Sequence, residues 1–196
     1  MEVPRLPPGS ERIGDWARRR GFSWSPVPAL EWFRAWEPYD TMTSPESWFS
    51  SVSWPLRAGG VVVAEPWYAA PDAEPLARTM VIFVVHSGFR RRAAARSGEH
   101  FNTRVAYLEN PPPPTVTLGD PTWDRHLTTF AASSSEAAAA FPLAARQLLA
   151  RWGFAGHLEV RPGGLVVNFS LIQPAPEQLD GLPQSVPELV SAFMGE

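Results

Sequence analysis

A chain of 196 residues with 44% hydrophobic and 12% aromatic content is too apolar to stay disordered, and it suffices for one domain that hides about 70% of its unfolded surface. It has no cysteine and all 17 of its basic residues are arginine, which excludes thiol nucleophiles, thiolate metal sites and disulfides, and with them lysine Schiff-base and P-loop chemistry. The net charge of −3 is uneven: residues 1–110 carry 13 Arg against 12 acids (+1) and residues 111–196 carry 4 against 8 (−4), so neither half has the basic excess that nucleic-acid binding calls for.

The 22 prolines and 14 glycines predict many turns. Met1 to Ser10 has prolines and no apolar core of signal-peptide length, and no run reaches the roughly 18 apolar residues of a membrane span. A cytoplasmic protein without a membrane segment is the expectation. Ser10-Glu11 opens a helix with Ile13, Trp16 and Ala17 on one face and Arg18 to Arg20 in its last turn, where positive charge suits the dipole; Gly21 ends it. Phe22 and Trp24 alternate into a short strand, and Leu30 to Trp36 reads as a helical turn or two with Trp32 and Trp36 at i, i+4. Tyr39 to Ser47 is turn-rich. Ser51 to Arg57 and Gly60 to Glu65 flank Ala58-Gly59 as a hairpin, with Pro55 assigning the first arm to a sheet edge.

Met80 to Val85 is uninterruptedly apolar, the pattern of a central strand buried on both faces within Thr79 to His86. Gly88 to Gly98, basic and alanine-rich, reads as a short helix or a loop, and Phe101 to Leu108 as a strand. Pro111 to Pro114 forms a stiff connector and the one candidate subdomain boundary in a domain spanning 1–196. Trp123 to Phe130 roughly alternates and reads as a half-buried strand. Ser133 with Glu136 makes a capping box for a helix that meets Pro142 and resumes with Leu143, Leu148, Leu149 and Trp152, stopping at Gly153. His157 to Arg161 alternates, Pro162-Gly163-Gly164 turns, and Leu165 to Ile172 returns as a hairpin. A second capping box, Ser185-Val186-Pro187-Glu188, opens a last helix through Leu189, Val190 and Phe193.

The wording GDPTWDRHL, LLARW and HLEVRPGGLVVNF resembles a group of uncharacterised domains of high-GC bacteria, over roughly the last 75 residues. The shared pattern is an Asp-Arg strand, a helix with paired leucines and a short hairpin, all structural. The resemblance implies no activity or cofactor.

Two acid and histidine pairs stand at strand spacing, Asp124 with His126 and His157 with Glu159. Residues two apart on a strand face one way, so adjacent strands would bring four oxygen and nitrogen ligands to a zinc-like or iron-like ion. The plainer alternative buries Leu127, Leu158 and Val160 and leaves the pairs on the solvent side of an antiparallel sheet. Ser87 at a strand end, with His126 and Asp124, would make a hydrolytic triad, but Val85 and Phe89 occupy the places where a nucleophile elbow needs glycine. Arg90-Arg91-Arg92, with Arg96 and Arg104 nearby, is the densest positive run, a grip for a phosphate, an acidic partner or an RNA backbone, or in the plainer alternative a solvated surface. Seven of the nine tryptophans lie between Trp16 and Trp67, more ring surface than a core of that length needs, so some are expected in an exposed patch for a protein or for an apolar or cationic ligand, with core packing the plainer alternative for most.

These readings predict a single α+β domain: a mostly antiparallel sheet of about five to seven strands with two or three helices covering one face. The expected function is a non-enzymatic binding or assembly module. Its contact surface would be the tryptophan-rich half, Trp32 and Trp36 included, with Arg90 to Arg92 as a polar rim. A protein partner or a homodimer is expected, and no cofactor. A metal- or His/Asp-dependent hydrolase using Asp124, His126, His157 and Glu159 is the alternative.

Overall fold

The apolar run that predicts a doubly buried strand is β4 (Val81–His86), and the molecule is built outward from it. A computed structural model describes residues 5–34, 36, 45–67, 78–97, 113–169 and 172–195. On one side of β4 stand β3 (Gly59–Trp67), β2 (Ser47–Leu56) and β1 (Ser23–Ser25). On the other stand β9 (Gly164–Phe169), β8 (Gly156–Arg161), β5 (Ala93–Ser97), β7 (Leu127–Phe130) and β6 (Thr115–Val116). All pairings are antiparallel, giving one nine-stranded sheet in the order β1-β2-β3-β4-β9-β8-β5-β7-β6. The α+β class and the antiparallel sheet are as expected, while the sheet is larger. Strands from before and after the proline run interleave, because the β8–β9 hairpin sits between β4 and β5.

Alternation along each strand sorts side chains to two faces. On the first, Val52, Val63, Ile82, Val84, Leu158 and Val167 pack against α1 (Ser10–Arg19), α4 (Ser134–Ala140), α5 (Leu143–Arg151) and α7 (Leu182–Met194). On the second, Ala64, Val81, Phe83 and Val166 meet Phe33 and Trp36 from α2 (Leu30–Arg34) and the turn after it, with Trp48 of β2. Helices therefore cover both faces, where one was expected, and they are more numerous than two or three. The segments α3 (Pro121–His126) and α6 (Pro176–Leu179) complete them.

Several local readings need correction. The stretch from Trp123 is helical to His126 before β7 begins, because Asp120 caps it through the amides of Thr122 and Trp123 and Pro121 occupies its first turn. Ala93 to Ser97 is strand, not helix or loop: Ala93, Ala94 and Ala95 are small enough to be buried on both faces between β8 and β7. Ser185 and Pro187 lie inside α7, which starts at Leu182 with Pro183 in its first turn. Pro55 sits in β2, which is not an edge strand, yet β1 pairs only with Ser51 to Ser53, so no ladder bond is asked of the proline on that side. The Ser133 cap accepts from the amide of Glu136 as predicted, and Gly153 adopts φ 60° after α5. Phe101 to Leu108, Pro111 and Pro112 lie outside the described residues.

Candidate interaction surface

The expected four-ligand set does not assemble. Asp124 is half-buried on α3, where its carboxylate accepts from the amides of Leu118 (3.0 Å) and Asp120 (3.1 Å) and ties down the loop ahead of the helix. His126 ends that helix and is exposed. His157 and Glu159 do lie together on β8, with Nε2 3.6 Å from Oε2, but on the second sheet face, where they are 2% and 1% exposed. The solvent-side alternative is therefore also wrong for this pair, since both faces of β8 are buried. Among the described residues no three His, Asp or Glu side chains form a group able to hold a metal ion. Ser87 leaves β4, whereas Asp124 and His126 stand beside β7 with β9, β8 and β5 intervening, so the triad does not form either.

The tryptophans are also placed differently. Trp36 is 9% exposed and Trp32 half-buried, and both rings pack on Phe83, at 5.6 and 5.4 Å between centroids. They line the second core instead of forming a free aromatic patch, because the sheet's second face offers Phe83 and Val166 as a floor for α2. Of the described tryptophans only Trp67, at 43%, is among the exposed large hydrophobics.

Arg90, Arg91 and Arg92 are exposed, on the loop between β4 and β5. The loop is firmly held. Phe89 plugs it into the core at 4% exposure, its ring 5.5 Å from Phe193 of α7. The Phe89 amide donates to the His86 carbonyl, and the Gly163 amide donates to the Phe89 carbonyl. The His86 ring adds an acceptor for the Gly88 amide at 3.1 Å. A short loop with a buried aromatic anchor and three main-chain or side-chain ties presents its arginines from a fixed frame.

Two arginines outside the arginine run, Arg57 and Arg161, reach the same end of the sheet. Strands β3 and β9 both run antiparallel to β4, so both begin where β4 ends: Gly59 pairs with His86 and Gly164 with Val85. The turns that precede them, Arg57-Ala58 and Arg161-Pro162-Gly163, thus flank the arginine loop. The approach is close enough to require glycine: a Cβ on Gly59, at φ 151°, would lie 1.8 Å from the Val85 carbonyl oxygen. Arg57 is exposed, whereas Arg161 is half-buried, stacks 5.1 Å over the Trp36 ring and donates to the Trp36 carbonyl. The repeated wording Arg-x-Gly-Gly in the two hairpin turns was the available signal, but only the strand order puts the turns side by side.

A groove of about 390 Å³ between α3 and α5 is the other surface feature, lined by Leu118, Asp120, Thr122, Leu143, Arg146 and Gln147 among others. Its charged groups are engaged with each other, Arg146 binding Asp120 at 2.6 Å while Asp120 also caps α3.

No protein-family model and no curated protein matches the chain. Among solved structures it is similar to the crystal structure of the mycobacterial trehalose monomycolate transport factor A, TtfA, at 14% identity and a TM-score of 0.63, over 94% of this chain and 93% of that one. At that identity the likeness is one of fold. Among the described residues no helix is long and apolar enough to cross a membrane.

Proposed function

We propose that the chain is a non-enzymatic binding and assembly module, acting in the cytoplasm as an accessory factor that holds a partner protein through the arginine loop between β4 and β5. The observation that carries this reading is the presentation of Arg90 and Arg91: both exposed, neither matched by a carboxylate among the described residues, on a loop fixed by Phe89. Charged groups held in a rigid frame lose little freedom on binding and steer an oppositely charged partner. The likeness in fold to a transport factor, over nearly the whole of both chains, supports an accessory role. In this reading the contact lies on the loop, and Trp32 and Trp36 serve the core beneath α2.

The test is co-purification from the native host with the wild-type chain and with the triple variant R90Q/R91Q/R92Q, each checked for an unchanged Tm. A partner that is retained by the wild type, released by added salt and lost from the variant is the expected result. Retention by the variant at wild-type level overturns the reading.

A further inference from the structure

The arginine loop does not stand alone at its end of the sheet. The two turns beside it, residues 57–58 and 161–163, contain no Asp or Glu, and neither does the span from Val81 to Ser97. Arg57, Arg90 and Arg91 are all exposed there, with the half-buried Arg161 at the flank. Val85, 39% exposed at the end of β4, lies on the same sheet face as Phe83, whereas Phe89 anchors the loop on the other face against α7. A cationic rim is thus assembled from three chain segments by strand register alone.

We infer that this three-turn rim docks a short acidic segment of a partner protein, a run of glutamates or aspartates, and that Arg57 belongs to the contact together with Arg90 and Arg91. The inference rests on the binding-module reading and names the chemistry of the partner. The remaining charge of the molecule decides among polyanions. With 20 acids against 17 arginines and −4 of the charge in residues 111–196, a large anionic surface such as a membrane or a nucleic acid meets the acidic bulk of the molecule as well as the rim. A short acidic segment meets only the rim, because charges more than about 10 Å away are screened at ordinary salt.

The probe is a fluorescein-labelled peptide of consecutive glutamates, read by anisotropy against its glutamine counterpart. The expected result is binding of the acidic peptide that weakens with salt and falls about 2- to 5-fold for each of R57Q, R90Q and R91Q, the range of exposed charge pairs. R57K keeps the charge and should restore most of the affinity; a loss in R57K equal to that in R57Q overturns charge recognition at this turn. If R90Q and R91Q weaken the peptide but R57Q does not, the three-turn surface is overturned while the loop reading stands. Phosphatidylglycerol vesicles or a single-stranded oligonucleotide binding as tightly as the peptide overturn the acidic-segment partner. So does a peptide that fails to bind while the triple loop variant still loses its cellular partner.

Discussion

The two faces of the sheet are covered by different means. The first carries one contiguous apolar cluster that runs from Ile13 to Val190 under α1, α4, α5 and α7. The second is apolar where α2 sits, around Phe33, Trp36, Trp48 and Phe83, and beyond Val166 it carries Asn168, His157 and Glu159, all buried, before Ala94 and Phe130. Thr79 donates to Asn168 Oδ1 at 3.1 Å, and the cross-strand pairing His157 to Asn168 continues the polar row along the sheet. The difference teaches that the first face is held by one continuous apolar cluster, whereas the second combines a local aromatic cluster with a row of buried polar groups that need partners.

Phe83 is the sharpest place to break the second face, because it is fully buried and its ring touches Trp32, Phe33, Trp36 and Trp48. Phe83→Ala should cost about 3–5 kcal/mol in a denaturant melt, as large-to-small changes in tight cores do, and Trp32→Ala distinctly less. If Trp32→Ala leaves stability unchanged, that ring is not part of the cluster. Next comes the first face's buried charge. Glu65 is 0% exposed and takes a bidentate grip from Arg78, at 2.6 and 2.8 Å. Arg78→Ala should cost about 3 kcal/mol, since it strands a buried carboxylate, and most of that loss should be recovered in the double variant with Glu65→Leu. A double variant no more stable than R78A would mean that the carboxylate is not the source of the loss.

For the polar row, Glu159→Ala should destabilise by about 1–3 kcal/mol, because it removes the carboxylate that lies 3.6 Å from the equally buried His157, despite making the face more apolar. An increase in stability would show that the second face is held by apolar contact after all. The smallest effect concerns pH. Trp16 Nε1 donates to Asp180 at 2.7 Å and Arg20 at 2.6 Å, and these bonds hold the carboxyl below its usual 3.8, with desolvation opposing. A depressed folded-state value contributes stability above the unfolded value and loses it as pH falls through the folded one. Wild type should therefore lose Tm faster than Asp180→Asn on acidification below about pH 4. Parallel curves would remove that link between α1 and the segment after α6.

Legibility in the sequence divides along the same line. The Ser133 cap, the Gly153 stop, the Pro162-Gly163 turn and the β4 run are local signals, and each fixes its element in the folded chain. Two readings failed on local signals, the Asp120 cap that makes Trp123 helical and the earlier start of α7 at Leu182, and the others were settled by neighbours. His157 and Glu159 have a half-polar strand's alternation, and only the position of β8 between β9 and β5 goes with their burial. Three alanines with arginines on either side have no strand signature, yet the space between β7 and β8 selects them. Trp32 and Trp36 look like an excess of rings until Phe83 is placed beneath them. Arg57 is silent for the same reason: its meaning comes from β3 and β9 starting at one end of β4.

The insertion of the β8–β9 hairpin between β4 and β5 also sets an order of events during synthesis. By the time β4 has left the ribosome, β1 to β4 are available to pair in sequence order, each with its predecessor. The open edge of β4, with its almost wholly apolar sequence, must then wait for residues 164–169 to be made before it gains its second neighbour. A nascent chain halted after Arg151 would hold that edge bare, a template for pairing with another chain. Such a truncation should aggregate during translation while the full-length chain stays in solution, and a monodisperse truncated product would show that the edge is guarded in some other way.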